Sequence, residues 1–209
     1  AVNKVKDSEI LYRATPFFAR QLFMESYTEL CKIDADSLVL GNLDHIWEGD
    51  FDAGVVYNAN PKEYKTYPVT VWNIHPFSYV NNGFVVLKSP KFVENWFRLC
   101  YSPHFDFYQM REQDLLNIMV FYMNEKLGGP YKIKFLDEGG KFHGLRSKQY
   151  TPFTKMAGGK VILPKGEGED AFPKEDTEIA VFHFAGGHSS VKMNYRTIFP
   201  RDVQKFIEE

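Results

Sequence analysis

Long apolar runs are missing from this chain of 209 residues, and none approaches the roughly 18 that a membrane-crossing helix needs. The N-terminus, AVNKVKDSEI, is too polar to serve as a signal peptide. Cysteine is scarce. Cys31 and Cys100 cannot build a disulfide framework, and both stand among apolar neighbours, so they read as reduced core residues. That usage and the polar N-terminus lean towards the cytoplasm, with the compartment left open. Charge of one sign is missing too: 25 Lys and Arg stand against 27 Asp and Glu, so nucleic acid is not an expected partner. Internal repeats and low-complexity tracts are also absent.

What remains is ample core material. The chain is 44% hydrophobic, with 19 Phe and 12 Tyr, the profile of one globular domain over residues 1–209. Residues 8–30 read as helical, with Pro16 opening a second segment whose apolar face is Phe17, Phe18, Leu22 and Phe23. FDAGVVYNAN and GFVVLKS read as strands, the second buried, and Pro90 starts a helix through KFVENWFRLC. Residues 112–126 form an apolar helix, YKIKFL, KVIL and TEIAVFHF read as later strands, and a last helix follows Pro200. PKGEGEDAFPKED, between the last two strands, reads as a loop. Strands alternating with helices predict an α/β fold whose ligands gather at the carboxyl ends of strands.

Four segments carry candidate chemistry. In CKIDADSLVLGNLDHIW, residues 31–47, an apolar strand runs into Asp34 and Asp36. Carboxylates one residue apart share a face of a continuing strand, or converge where it turns, and either arrangement can hold a hard cation. A solvated Asp turn is the plain alternative, while an EF-hand loop is excluded because its further oxygen ligand and its Gly are missing. In YVNNGFVVL, Asn81 and Asn82 offer amides to sugar hydroxyls and Gly83 permits close backbone approach, or the three simply form a turn before a strand. REQDLLNIMVF opens a helix with Glu112, Gln113 and Asp114, where acids suit the helix dipole or rim a pocket. Finally, VFHFAGGHSSVKMNY sets His183 at a strand end ahead of Gly186, Gly187, His188 and Lys192, a composition that can wrap phosphate.

Taken in order with FFARQLF, these segments resemble the retaining glycosyltransferases of the glycogenin and lipopolysaccharide galactosyltransferase family, over roughly residues 13–195. The resemblance implies a single GT-A-like, Rossmann-like domain, with a mixed, mainly parallel sheet flanked by helices. It implies a divalent metal, manganese or magnesium, held by Asp34, Asp36 and His183, with Asp34 also near the ribose. A UDP-sugar donor would touch Arg20, Asn81, Asn82, Gly83 and Gln113 at its sugar, and Gly186 and Lys192 at its diphosphate. Lys192 stands nine residues after His183 where the family has six, so His188 is an alternative phosphate contact. Glu112 or Asp114 is the candidate carboxylate on the far face of the sugar, and front-face attack without an enzyme base is equally open. A glycan or glycoprotein is the implied acceptor, with Lys148 to Lys155 and the 164–176 loop as its expected border. The family also carries a strand–helix–strand portion before its Arg-bearing helix, and only 33 residues precede Asp34 here, so the N-terminal part is short.

Two rival readings follow from the same residues. KIDADSLVL passably fits a haloacid-dehalogenase-type phosphatase, with FLDEGG as its second acidic pair. A non-catalytic sugar-binding or scaffold domain of the glycosyltransferase fold is the other.

Overall fold

Helix α1 (Asp7–Met24) runs unbroken, with Pro16 inside it rather than between two segments as expected. Proline removes one backbone donor from a helix, and here the buried ring is used for packing. The expected apolar face is also corrected: Phe17 and Phe18 are 42% and 60% exposed, while the small Ala19 is 6% exposed within the core. The computed structural model describes residues 7–58, 74, 78–126, 129–137, 141–143, 151–167, 173–183 and 199–208.

Strands β1 (Leu30–Ile33) and β2 (Ser37–Val39) follow, separated by the turn that carries Asp34 and Asp36. β3 (Ala53–Tyr57) and β4 (Val80–Leu87) come next. Helix α2 (Pro90–Cys100) starts at its proline, and the Ser89 side chain accepts from the Phe92 N–H as the N-cap. α3 (Glu112–Asn117) widens into a π-helix over Ile118–Lys126. After β5 (Ile133–Phe135) and β6 (Lys141–Phe142) come β7 (Lys155–Ala157), β8 (Lys160–Leu163), β9 (Thr177–Ile179), β10 (Val181–His183) and helix α4 (Arg201–Glu208).

The central sheet has the order β1-β4-β3-β5 and is mixed, as expected. It is not mainly parallel among the described strands. β4 lies between β1 and β3 antiparallel to both, and only β3 and β5 run parallel. A parallel pair needs a long crossover; β3 and β5 are separated by α2 and α3, which supply one. A second sheet of order β6-β9-β8-β7 and a short β10-β2 ladder complete the described pairings.

The main core lies between the central sheet and helices α2 and α3, with Phe92, Trp96, Phe105, Leu116 and Met119 fully buried. Each such side chain contributes roughly 1.5–3 kcal/mol by leaving water, which fixes α3 against β4. Residues 101–110 border this core, with Phe105 inside and Phe107 74% exposed. TEIAVFHF, expected as one strand, breaks at Ala180, whose carbonyl accepts from the N–H groups of Leu40 (2.8 Å) and Gly41 (3.2 Å). β9 and β10 therefore serve different sheets, and β10 carries His183 to the end of β2.

Candidate metal and donor site

Pairing register alone brings the site together. The Asp34 N–H donates to Gly83 O at 2.8 Å, extending the β1–β4 ladder by one residue. The chain then turns: Ser37 N–H donates to Asp34 O at 3.1 Å, so both aspartates lie on a tight turn. Across the β10–β2 ladder His183 stands opposite Ser37, beside that turn.

His183 Nε2 lies 3.2 Å from Asp34 Oδ2 and 3.1 Å from Asp36 Oδ1. One ligand atom from each of the three lies within 4.8 Å of the others. The imidazole is 2% exposed, yet neither ring nitrogen is aligned for a hydrogen bond. Burying an imidazole with both nitrogens unsatisfied is unfavourable unless something else takes the lone pair. Two carboxylates and an imidazole converging without mutual hydrogen bonds form a donor set that fits a divalent cation of the manganese or magnesium kind. Gly83 is part of this construction. A methyl group there would overlap Cε1 and Nδ1 of His183, so glycine makes room for the imidazole rather than for a ligand.

Electrostatics act on the same cluster. Burial pushes the Asp34 carboxyl up, but His183 and Lys32 outweigh it and hold the group down at about 2. Lys32 Nζ donates to Asp34 Oδ1 and to the carbonyl of Asn82. Both thiols are pushed up by burial, Cys31 to about 11, and neither is disulfide-bonded, so neither is a nucleophile candidate.

A cavity of 380 Å³ opens beside the cluster, lined by Asp34, His183, Lys32, Asn82, Glu112 and Tyr12 among others. A polar ladder fixes its wall. Gln113 Oε1 accepts from Asn81 Nδ2 (2.9 Å) and from the Asn82 N–H (3.1 Å). Asn81 Oδ1 accepts from the Gly83 N–H at 2.8 Å, and Asn82 Nδ2 donates to Glu112 Oε1 at 2.9 Å. Burial pushes Glu112 up to about 7 despite the Asn82 hydrogen bond, and its Oε2 is buried without a partner.

Several expectations change here. Asn81 and Asn82 lie within β4, not in a turn before it, and Asn81 is bound within the protein at both ends of its amide. Asp114 is fully buried and does not line the cavity. Its carboxylate accepts from Tyr79 Oη (2.7 Å) and the Met110 N–H (2.9 Å), a structural duty that removes it as a catalytic candidate. Arg20 is elsewhere, with Nε 2.7 Å from Glu94 Oε2 and its guanidinium over Phe97. α1 instead reaches the cavity through Leu11, Tyr12 and Thr15. Gly186, His188 and Lys192 lie outside the described residues, as do Lys148 and the middle of the 164–176 loop. Of the acidic pair in the phosphatase reading, Glu138 lies outside the described residues and Asp137 is tied to the backbone. Asp137 accepts from the Tyr57 N–H (2.7 Å) and the His143 N–H (2.8 Å).

Sequence reasoning passed over Lys32, Tyr79, Asn117 and Arg111. Lys32 was detectable, since strand alternation puts it on the face of Asp34. Asn117 clamps the Val80 N–H (2.7 Å) and the Val80 and Gln113 carbonyls across 37 and 4 residues, pairings without a local signal. Arg111, just ahead of Glu112 on the cavity wall, adopts φ 50°, a strained backbone that no neighbouring residue type announces.

The mixed sheet flanked by helices is an α/β fold of glycosyltransferase-like form, on the likeness to one solved structure. The chain matches the apo structure of WbbM, a bifunctional glycosyltransferase, with a TM-score of 0.51 and 17% identity. The match covers 85% of this chain and 32% of that one, so this chain spans about a third of its neighbour's length. No family model and no curated protein matches the sequence. No helix among the described residues is long and apolar enough to cross a membrane.

Proposed function

We propose that this chain is a divalent-metal-dependent glycosyltransferase. Its reaction moves a hexose from UDP-glucose or UDP-galactose to a glycan or glycoprotein acceptor, with retention at the anomeric carbon. The observation that carries this reading is the Asp34–Asp36–His183 cluster, opening on the cavity that Glu112 also lines.

In this reading Asp34, Asp36 and His183 hold manganese or magnesium, which when bound supplies positive charge to the departing diphosphate. Glu112 is the candidate group on the sugar's far face. As a carboxylate it stabilises positive charge at the anomeric carbon or attacks it, and in its protonated state it donates to a sugar hydroxyl. Gln113 positions rather than reacts: its carbonyl oxygen already holds Asn81 and Asn82. Front-face attack needs only that acceptor hydroxyl and leaving oxygen share one side, with the proton passing to the leaving phosphate. Gly186, His188 and Lys192 remain candidates for the phosphate contacts. Residues 1–209 are taken as one catalytic unit.

The test is isothermal titration of UDP into the chain with manganese, then with EDTA. The expected result is binding that EDTA abolishes and that Asp36→Ala removes while the fold is retained. Metal-independent binding, or unchanged binding in Asp36→Ala, would overturn the metal assignment. Metal-dependent hydrolysis of UDP-glucose or UDP-galactose to free sugar separates the enzyme from a non-catalytic sugar-binding domain.

A further inference from the structure

We infer that Lys32 is a resident counter-cation of the metal cluster, a side chain that holds Asp34 until a divalent ion displaces it. The inference rests on the metal reading above and adds a regulator of that site from this chain's own residues. Lys32 stands on β1 two residues before Asp34, so strand alternation sends both side chains to one face. Its ammonium donates to Oδ1 of Asp34, while the other oxygen of that carboxylate faces His183. The pair is half-buried, with side-chain exposures of 21% and 34%.

Two carboxylates brought together by the 34–37 turn repel one another when nothing else neutralises them. In this arrangement Lys32 neutralises one of them. A divalent cation arriving on Asp34 meets the same carboxylate already occupied by an ammonium, and two cations on one carboxylate repel. Binding the ion therefore requires breaking a charge-assisted hydrogen bond, which weakens the apparent affinity of the cluster. Once displaced, the ammonium keeps a seat in the cavity, because it also donates to the Asn82 carbonyl. Metal entry thus converts a neutralised cluster into a cation site with a free lysine beside it.

The experiment is a titration of manganese alone into the full chain, read by the spin-resonance signal of free manganese, so that no donor or turnover is involved. Lys32→Met should bind manganese about tenfold more tightly than the unaltered chain, the scale of one charge-assisted hydrogen bond lost as competitor. Lys88→Met is the control for net charge. That lysine pairs with Glu29 at 2.8 Å, does not line the cavity, and should leave the affinity unchanged. Equal or weaker binding in Lys32→Met, or the same gain in Lys88→Met, would overturn the role of Lys32 and leave the metal site standing. No manganese uptake by the unaltered chain and by Lys32→Met would overturn the metal site itself, and this inference with it. Crystals of the unaltered chain soaked in manganese give a second reading. The ammonium should leave Asp34, and an ion bound with Lys32 still on Asp34 would overturn the exchange.

Discussion

Among the described residues two acid–imidazole clusters stand out, and their carboxylates are used differently. At Asp137 both carboxylate oxygens are committed to backbone N–H groups, those of Tyr57 and His143. The fully buried His143 then places its Nε2 2.6 Å from His45 Nε2. At the other cluster Asp34 and Asp36 keep side-chain exposures of 34% and 31%, and the imidazole of His183 has no hydrogen bond at either nitrogen. The first cluster spends its carboxylate lone pairs on the fold, and of its buried imidazole only Nδ1 of His143 lacks a hydrogen bond. The second seats its imidazole in the space left at Gly83, with Nε2 facing two part-exposed carboxylates that the backbone does not consume. Residue types alone do not separate the two; the state of the acceptors does.

The largest expected effect tests that division directly. Asp137→Ala leaves two part-buried N–H groups without acceptors, at roughly 1–3 kcal/mol each, so it should lower stability by about 4 kcal/mol in urea unfolding. Manganese binding should survive wherever the variant is folded. Asp36→Ala should do the reverse, changing stability by less than about 1 kcal/mol, as for other part-exposed charges, while abolishing manganese binding. A stable Asp137→Ala and an unfolded Asp36→Ala would break the comparison.

The unevenness of the sequence reading has the same origin. Asp34, Asp36 and His183 were legible because a short apolar strand ending in acid or imidazole departs from local pattern. Strand positions, the α2 start at Pro90 and the buried character of β4 were likewise written in local composition. Arg20 was expected at the donor from the family resemblance alone, which does not say which part of α1 meets the cavity; here Leu11, Tyr12 and Thr15 do, while Arg20 pairs with Glu94. Asp114 looked catalytic because an acid at a helix start has several uses, and only the distant Tyr79 shows which one applies. The antiparallel β1–β4–β3 arrangement was hidden because strand direction depends on connections, not on the residues within a strand.

Glu112, on the wall of the cavity, has one oxygen held by Asn82 and the other without a partner, and it sharpens the contrast through pH. Burial raises its carboxyl from 4.5 to about 7 in the folded chain. Between those values the folded state holds the proton more tightly than the unfolded state, so stability falls as pH rises through the window. Above about 7 the whole penalty is present, of order 3 kcal/mol at 1.36 kcal/mol per unit. Glu112→Gln keeps the Asn82 contact without the charge. It should therefore be more stable than the unaltered chain by about 3 kcal/mol at pH 8, and nearly equal to it at pH 4. Paired urea titrations at the two values check this, and equal stability at pH 8 would mean that Glu112 is better solvated than its burial implies.

The smallest effect concerns His45, the outer member of the Asp137 cluster. Its contact with His143 is a nitrogen–nitrogen hydrogen bond, which needs one ring to donate and the other to accept, and so needs at least one neutral imidazole. Burial, then the charges of His143, Lys141 and Lys134, pull His45 below its ordinary 6.5, with only Glu178 acting the other way. A histidine depressed in the folded state is protonated first in the unfolded chain, so its stabilising share is lost as pH falls below 6.5 towards the folded value. His45→Asn should lower stability by about 1 kcal/mol at pH 7.5, the net worth of one hydrogen bond, and by less at pH 5.5. Other titrating groups are common to both chains and cancel in the difference. A gap between the two that widened on acidification would reverse the sign. It would show that the His45–His143 contact carries a shared positive charge instead of a neutral bond.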